Sequence, residues 1–421
     1  MSRGDAMLPV AGNGLLDRRL FLKGGMAGIA ALSFGRASAA SGARPEWARA
    51  PGSPMSGYGG RSPFEAHVQR TAIVSQPGTA GSGASRTPLE HLEGTITPNG
   101  LMFERHHSGV PAIDPERHRL MIHGRVQRPL EFSMDVLERY PRVTRLHFLE
   151  CSGNSGAMAV SPQAPDQSCG ALHGLVSACE FTGVPLSVLL DEAGLDAGAA
   201  WVVAEGDDSA RLVRSVPLAK ALDDALVVMY QNGERLRPEN GYPIRLFLPG
   251  FEGNMSVKWL RRLYVTDQPA MSKDETSRYS DLQPDGSARL FTFSMAVKSV
   301  ITSPSPGLDL AGPGLYEISG LAWSGSGAIR QVEVSADGGA SWAPAHLESP
   351  VLPRHLTRFR APWDWNGGPA MLMSRALDDG GAVQPGRSEW LASHGGRSFY
   401  HYNAIQAWAI DEDGRSRNAY A

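Results

Sequence analysis

The chain has 421 residues, the length of two or three domains, and 42% of them are hydrophobic, which excludes a largely disordered protein. The 40 basic and 43 acidic residues give a net charge of −3, which argues against a protein that binds duplex nucleic acid. The 48 glycines and 30 prolines favour a loop-rich and strand-rich architecture over helical bundles. We therefore expect no nucleic-acid partner and few long helices.

Residues 1–39 have the pattern of a twin-arginine export signal. The paired Arg18-Arg19 precede Phe21 and Lys23, an apolar run follows, and the small residues Ala37-Ser38-Ala39 resemble a cleavage site. The apolar run is too short and too rich in glycine and alanine to anchor the chain in a membrane. The pattern predicts a periplasmic protein exported by the twin-arginine route without a membrane anchor. The alternative is a short amphipathic helix that stays in the mature chain.

Composition divides the remainder into three stretches. Residues 40–87 are rich in Gly, Ser, Pro and Ala, which predicts an extended N-terminal arm. Residues 88–289 alternate short apolar runs with helix-like patches and predict a mixed α+β domain, whereas residues 290–421 predict an immunoglobulin-like β-sandwich. The predicted strands are Arg145–Phe148, Trp201–Ala204, Leu226–Tyr230, Ile244–Leu248, Tyr316–Trp323, Gln331–Ser335 and Ala404–Ile410, the predicted helices are Pro185–Ala193 and Pro217–Leu222, and hairpin turns are predicted at Asp337-Gly338-Gly339 and Asp413-Gly414.

The three cysteines, Cys151, Cys169 and Cys179, are too few for a disulfide scaffold or a four-thiolate zinc site. Cys151 follows an apolar run and precedes small, flexible residues, where a thiol can point into a cleft as a metal ligand or a nucleophile. A buried structural thiol is the alternative. We interpret Cys169 and Cys179 as packing residues, although an oxidising compartment would allow a disulfide between them.

Basic residues beside glycine and proline turns form three candidate anion sites: Arg105-His106-His107, Asn240–Arg245 and Ser256–Lys258. Backbone donors at such turns suit a phosphate when Arg or Lys lies nearby. The alternative for each is a solvated surface. The run Lys258–Arg262 by itself predicts a half-buried strand with an exposed charged face.

Five motifs in chain order resemble the sulfite oxidase family of molybdopterin enzymes: Phe103–His107, Glu150–Asn154, Asn240–Arg245, Ser256–Leu260 and Val332–Gly339. Within that family the chain is most similar to the molybdenum subunits of sulfane dehydrogenases, called SoxC in the Sox sulfur-oxidation system. This likeness rests on Thr95–Asn99, the doubled His106-His107, Glu150–Asn154 and the ending His401–Gln406. The resemblance implies a molybdopterin-binding domain of the sulfite-oxidase type at 88–289 and an immunoglobulin-like dimerisation domain at 290–421.

The resemblance also implies a cofactor and the residues that hold it. Cys151 would supply the single protein thiolate to a molybdenum–molybdopterin cofactor with oxo ligands and one pterin, and a soft thiolate suits such a metal. Arg105 and Tyr279 would act beside Cys151 as catalytic residues. The residues implied to bind the cofactor are Phe103, Arg105, His106, His107, Asp208, Asn240, Arg245, Ser256, Val257 and Lys258.

One departure from the family pattern bears on the substrate. Ser155 and Gly156 stand where sulfite oxidases usually have two arginines, so a free sulfite dianion would lose charge-assisted hydrogen bonds. We expect the small Gly156 to leave room for a sulfur carried on another protein's cysteine arm.

The resemblance then implies oxygen-atom transfer to carrier-bound sulfane sulfur in thiosulfate oxidation. The chain has neither a haem motif nor an iron–sulfur cysteine set, so the expected electron acceptor is a separate c-type cytochrome subunit, a dihaem protein of the SoxD type. The expected assembly is a homodimer or a heterotetramer.

Three alternatives remain open. The first is a sulfite:cytochrome c dehydrogenase that acts on free sulfite. The second is a non-catalytic periplasmic binding or assembly protein, which predicts no molybdenum. The third is a thiol hydrolase that uses Cys151, although no spacing specifies its His and Asn partners.

Overall fold

The computed structural model describes residues 9–17, 44–75 and 79–420. Within those ranges the strands, numbered β1 to β26 in chain order, are Pro9–Ala11, Leu15–Leu16, Thr71–Ser75, Gly83–Arg86, Glu104–His106, Arg119–Gly124, Leu130–Ser133, Val143–Glu150, Val176–Pro185, Trp201–Gly206, Val213–Pro217, Leu226–Gln231, Glu234–Arg235, Arg245–Phe247, Leu260–Thr266, Asp281–Leu282, Ala288–Arg289, Lys298–Ser303, Gly314–Trp323, Ile329–Ser335, Ala343–Pro344, His346–Leu347, Thr357–Trp365, Ala370–Asp378, Ala407–Ile410 and Ser416–Ala419.

The helices in the same ranges are short. The α-helices, numbered α1 to α6, are Met134–Leu137, Gly156–Val160, Cys169–His173, Leu186–Ala193, Leu218–Asp223 and Arg387–His394. The structure confirms the two predicted helices as α4 and α5, each of which starts directly after its proline, which is the N-cap residue with a non-helical ψ of 130° or 134°. Across the described part of the chain, no helix is long and apolar enough to cross a membrane.

Two five-stranded sheets form the N-terminal α+β domain. The first has the order β11-β10-β15-β6-β7, with β15 parallel to β6, and the second has the order β13-β12-β9-β8, with β14 paired to β12. One apolar cluster takes Ile122 and Leu263 from the first sheet and Val227 and Leu246 from the second. The sheets therefore pack against each other through a common core, as the mixed pattern predicted.

Strand β8 pairs with β9 along its whole length and ends at Glu150. A second apolar cluster, which includes Phe103, Leu149 and Phe247, covers this part of the sheet. Cys151 therefore follows a firmly held strand, and the thiol lies where the sheet opens into a cavity.

The predicted N-terminal arm is extended between short 3-10 turns at Glu46–Ala48 and Pro63–Glu65, and Trp47 and Phe64 are largely exposed. Its last part forms β3 and β4, and β4 pairs with β5. The arm therefore runs beside Glu104–His106, at the edge of the cavity.

Residues from Lys298 onward, together with the hairpin of β1 and β2, form a β-sandwich. One sheet has the order β1-β2-β23-β19-β18, with β22 on β23, and the other has the order β21-β20-β24-β25-β26. Its core includes Trp323, Trp363 and Trp408, and Phe148 and Cys169 of the first domain belong to the same apolar cluster. The two domains therefore share a core.

The predicted sandwich strands and turns are confirmed, with one shift. Gly338, Gly339 and Gly414 have positive φ at the predicted turns. The strand predicted at Ala404–Ile410 starts only at Ala407, because the chain before it leaves the sheet and binds the other domain through the hydrogen bond from the His401 amide to the Ser152 carbonyl.

Two further predictions from the sequence concern the cysteines and the export signal. Cys169 and Cys179 are free and buried in different apolar clusters, which confirms their interpretation as packing residues. Arg18-Arg19 and Ala37-Ser38-Ala39 lie outside the described residues, so the twin-arginine signal stays a prediction.

Candidate functional site

A cavity lies where β8 ends, beside β5 and the turns on both sides of β14. Its lining residues are Met102, Phe103, Arg105, His106, His107, Leu149, Cys151, Asp208, Leu212, Glu239, Asn240, Arg245, Gly253, Asn254, Ser256, Lys258, Trp259 and Tyr279. The structure thus brings together every predicted site residue except Val257. These residues come from six separate stretches of the chain.

Val257 does not line the cavity, so its expected contact with a cofactor is corrected. Its side chain is 1% exposed and packs in the core of the N-terminal domain, while its carbonyl accepts from the Leu246 amide. The flanking Ser256 and Lys258 do face the cavity. The chain bends at Ser256 and again at Lys258, so these two side chains face the cavity while Val257 between them faces the core.

Cys151 is the first residue of a tight loop, residues 151–155, which we call the cysteine loop. The Cys151 amide donates to the Leu175 carbonyl at 2.9 Å, and the Asn154 amide donates to the Cys151 carbonyl at 2.8 Å. Burial raises the pKa of the Cys151 thiol, against the opposing effects of the Gly153 amide and the Arg105 charge. A raised pKa disfavours a free nucleophilic thiolate, whereas a bound metal would deprotonate the thiol.

The described residues contain no group of three or more His, Cys, Asp or Glu side chains able to hold a metal ion. A metal at Cys151 would therefore need further ligands from a group that the chain binds.

A buried polar network holds the cysteine loop from the side away from the cavity. The Glu150 carboxylate accepts from Asn154 Nδ2 at 2.8 Å and from Trp323 Nε1 at 2.7 Å, and Lys298 Nζ lies 3.5 Å away. Lys298 also donates to Ser155 Oγ at 2.6 Å, and the Ser155 hydroxyl lies 2.6 Å from His173 Nδ1. The two domains therefore fix the thiol together.

Ser155 adopts φ +64°, a left-handed conformation that is unusual for serine. Its side chain is 2% exposed, and its hydrogen bonds to Lys298 and His173 turn it into the protein interior. Ser155 therefore offers the cavity no polar group.

His106 and Lys258 form one wall of the cavity. His106 Nε2 lies 2.8 Å from the Glu104 carboxylate, and Lys258 Nζ lies 2.7 Å from His106 Nδ1. Burial, with the charges of Lys258 and Arg105, lowers the pKa of His106 to about 3. The ring is therefore neutral near pH 7, so its Nε2–H donates to Glu104 and its Nδ1 accepts from Lys258.

Polar atoms without partners among the described residues lie beside Lys258, in and around β14. Arg245 donates to the carbonyls of Asn240 at 3.0 Å and Ser256 at 2.9 Å, but its Nε has no hydrogen-bond partner among the described residues. Asn240 Oδ1 and Asn254 Oδ1 are likewise buried and unpaired there. Burial lowers the pKa of Arg245 to about 10, which still leaves the guanidinium charged at neutral pH. Unpaired buried groups of this kind cost free energy unless a ligand binds them.

Tyr279 reaches the cavity as part of a chain of three side chains. Arg278 Nη1 donates to His107 Nδ1 at 2.7 Å, and His107 Nε2 lies 2.8 Å from Tyr279 Oη. Burial, with Arg105 and Arg278, lowers the pKa of His107 to about 3, and burial raises that of Tyr279. Arg214 lies under the Tyr279 ring, 4.9 Å from its centre. A neutral phenol with a fixed ring therefore faces the cavity.

Two predicted residues shape the cavity rim. Asp208 accepts from Ser108 Oγ at 2.9 Å and from the Arg211 amide at 3.0 Å. Phe103 is buried, and its amide donates to Ser177 Oγ at 3.2 Å.

Phe399 of the second domain fills the space beside Gly156. A Cβ built on Gly156 would lie 2.6 Å from Cε2 of the Phe399 ring, and one on Gly153 would lie 3.0 Å from Cε1. The expectation that Gly156 leaves room for a carrier arm is therefore wrong. The glycine instead allows an aromatic ring, 45% exposed, to lie against the cysteine loop.

Several lining residues were not predicted. Trp259 and Asn254 flank the Ser256–Lys258 motif, so their nearness in sequence could have indicated them. Leu149 is the last residue but one of β8, two positions before Cys151, and could have been found in the same way. Glu239 directly precedes the Asn240–Arg245 motif and could have been found by the same nearness, whereas Leu212 lies four residues after Asp208 and belongs to no motif.

Comparison with known proteins assigns both domains to families. Residues 107–273 match the model of an oxidoreductase molybdopterin binding domain, and residues 289–407 match a molybdenum-cofactor oxidoreductase dimerisation domain. The chain is 32% identical to mitochondrial sulfite oxidase of Mus musculus over 318 residues, covering 70% of this chain and 58% of that protein. Sulfite oxidase of Gallus gallus is 31% identical over 323 residues, which cover 71% of this chain and 70% of that protein.

A solved structure is also similar over most of the chain. The crystal structure of the sulfane dehydrogenase SoxCD from Paracoccus pantotrophus matches with 45% identity and a TM-score of 0.87, covering 89% of this chain and 97% of that one.

The cavity fits a molybdopterin cofactor by the chemistry of its donors. The buried atoms Asn240 Oδ1, Asn254 Oδ1 and Arg245 Nε are available to a polar group. Burial and the Arg245 charge lower the pKa of Lys258 well below its ordinary value, and a bound phosphate would favour its charged form. Cys151 supplies one soft sulfur ligand, which suits a metal whose other sulfur ligands come from the pterin.

Proposed function

The chain belongs to the sulfite oxidase family of molybdopterin oxidoreductases, and from that premise we propose that it is the catalytic subunit of a sulfane dehydrogenase. Its substrate would be sulfane sulfur bound to a cysteine of a carrier protein, and its electrons would pass to a cytochrome c. The observation that carries the choice of substrate is the Phe399 ring against Gly156.

Phe399 supports this choice by its chemistry. An aromatic ring provides no hydrogen bond for a small dianion such as sulfite, but sulfur makes favourable contacts with aromatic rings. The ring is partly exposed, so a peptide that brings sulfur to the cysteine loop would contact it. The match at 45% identity to a sulfane dehydrogenase agrees with this proposal.

The residues that line the cavity would have three different roles. Cys151 would bind the metal, while Arg245, Asn240 and Lys258 would hold the pterin and its phosphate. When bound, the molybdenum–molybdopterin group supplies oxygen-atom transfer to sulfur. Tyr279 would donate a hydrogen bond into the cavity, because His107 donates to its oxygen and leaves the phenolic proton free.

The overall reaction requires an electron acceptor. Conversion of a cysteine-bound R–S–S⁻ and three waters to R–S–SO₃⁻ releases six protons and six electrons. A c-type cytochrome subunit of the dihaem SoxD type would accept these electrons, and the dimerisation domain would join two copies of the chain, as a homodimer or within a heterotetramer.

We also propose that the protein acts in the periplasm. The paired Arg18-Arg19, the short apolar run and Ala37-Ser38-Ala39 support export by the twin-arginine route. Loss of export from an Arg18→Lys, Arg19→Lys variant, measured by cell fractionation, would test this.

Elemental analysis of the purified protein tests the cofactor. We expect about one molybdenum per chain, and Cys151→Ser should lose activity even where pterin remains. Cys179→Ala is the matched control, because that thiol is buried outside the cavity and its loss should leave molybdenum in place. Absence of molybdenum from protein made in a pterin-competent host would instead favour the binding or assembly protein.

Substrate comparison tests the sulfane assignment. We expect higher kcat/KM for a peptide with a cysteine-bound sulfane than for free sulfite, and Phe399→Ala should lower only the former. Phe64→Ala, which removes an exposed aromatic ring in the arm, should change neither. Arg105 on the cavity wall supports free sulfite as the second candidate, and a preference of the native enzyme for sulfite would establish it.

A further inference from the structure

Residues 9–17, which we call the leader segment, form a hairpin on the edge of the C-terminal sandwich. Its strands β1 and β2 pair with each other, and Leu15 pairs with Trp363 of β23. Leu15 is 1% exposed and belongs to the sandwich core, and Leu16 is 7% exposed. The segment is therefore part of the folded domain, although the sequence pattern assigns it to a removable export signal.

Main-chain hydrogen bonds tie the segment to the sandwich. The Asp364 amide donates to the Gly14 carbonyl at 2.9 Å, and Trp363 Nε1 donates to the Asn13 carbonyl at 2.7 Å. The Gly12 amide donates to Ser341 Oγ at 2.6 Å. Addition of a short strand to an open sheet edge is a known mode of peptide recognition.

The contact also depends on two glycines of the leader segment, Gly12 and Gly14, where a side chain would meet the sandwich. A Cβ on Gly12 would lie 2.1 Å from Asp337 Oδ2, and a Cβ on Gly14 would lie 2.0 Å from the Asp364 carbonyl oxygen. Gly14 has φ +88°, which other residues rarely adopt. The docked conformation therefore requires glycine at position 14 and buries Leu15 and Leu16 behind it.

We propose that this edge is a docking site for the chain's own leader segment, which is held on the folded dimerisation domain until export. The proposal rests on the twin-arginine export proposed above, because Arg18-Arg19 directly follow the docked residues. The docked segment ends at Asp17, which directly precedes the paired arginines in the sequence. An export receptor that binds them competes with docking, and removal of the leader empties the site.

Hydrogen exchange on the full chain tests docking without reference to export. We expect a protected Asp364 amide in the native chain and at least about tenfold lower protection in Leu15→Asp, which places a charge in the apolar core. Gly14→Ala, which keeps both leucines, should have the same effect through its clash. Val10→Asp is the matched control, because Val10 lies on the same hairpin but is 47% exposed. Equal loss of protection in Val10→Asp, or an unprotected native amide, would overturn the docking site.

Pulse-chase export of the same chains tests the holding role. We expect Leu15→Asp and Gly14→Ala to be processed faster than the native chain, with Val10→Asp unchanged. Identical rates in all four would refute the holding role, even with docking intact. Normal export of the Arg18→Lys, Arg19→Lys chain would refute the twin-arginine assignment and the holding role with it, but would leave the exchange result for docking standing.

Discussion

The guanidinium of Arg278 donates to Nδ1 of His107 at 2.7 Å, so only Nε2 of that ring can carry a proton. His107 Nε2 lies 2.8 Å from Tyr279 Oη and donates to it. Two neighbours in sequence, Arg278 and Tyr279, thus bind opposite sides of one imidazole. The arrangement sets the direction in which the Tyr279 hydroxyl donates.

Replacement of Arg278 by methionine should reverse that direction. Without the guanidinium, His107 is free to move its proton to Nδ1 and accept from Tyr279, which removes a donor from the cavity. We expect about tenfold lower kcat with a smaller change in KM, the effect of one charge-assisted hydrogen bond. Arg278→Lys should retain most activity, and Arg289→Met, an exposed arginine nearby, should retain all of it. Native kcat in Arg278→Met, with an unchanged tautomer by nitrogen NMR, would contradict the prediction.

The contact between Gly156 and Phe399 predicts a steric effect. Gly156→Ala places a methyl group 2.6 Å from both the ring and the carbonyl oxygen of Phe399, which should cost about 1–3 kcal/mol of stability. Adding Phe399→Ala should recover only part of that loss, because the carbonyl stays in place. Thermal unfolding of the single and double variants measures this. Full recovery, or no loss at all, would show that residues 156 and 399 do not touch as described.

The buried ion pair under the cysteine loop should be sensitive to the loss of one partner. Lys298→Met leaves Glu150 charged at 1% exposure, which should cost about 3–5 kcal/mol. Molybdenum content should fall too, because Lys298 also holds Ser155 in the loop. Arg415→Met breaks an exposed pair with Asp413 and should cost at most about 1 kcal/mol. Similar unfolding midpoints for both variants would rule out the buried pair as an anchor.

The charged form of His401 should stabilise the folded protein at pH values below the pKa of the imidazole. Burial lowers its pKa, but the hydrogen bond and charge of Glu252 and the charge of Asp281 outweigh this and raise the pKa above its ordinary value. The contribution is therefore complete below about pH 6.5 and is lost as the pH rises through the raised pKa. We expect His401→Gln to lower the unfolding temperature more at about pH 5.5 than at about pH 9.

His394→Gln is the control for that pH dependence. Burial lowers the pKa of His394, so the native ring resists protonation, and its replacement should not reduce stability on the acid side. A loss for His401→Gln that is equal at both pH values would exclude the charged pair.

The alternation of hydrophobic residues and the positions of turn residues were enough to predict most of the strands and turns. Period-two alternation and turn glycines are properties of neighbouring residues, so the strands around Arg145, Trp201 and Leu226 and the turn at Gly338 followed from them. No such rule applies to Ser256–Lys258, where bends on both sides of Val257 place its side chain in the core. The cavity residues were found by resemblance of their motifs to a known family, because no local rule brings residue 105 to residue 258.

Only the tertiary structure decided what lies against those motifs. Lys298 reaches Glu150, and Phe399 reaches Gly156, across more than a hundred residues and from a different domain. Such contacts depend on how two sheets and their shared core pack, which hydrophobic periodicity does not encode. The sequence by itself thus determined the domains and the chemical character of the site, while packing between the domains decided how the thiol is held and which side chain borders it.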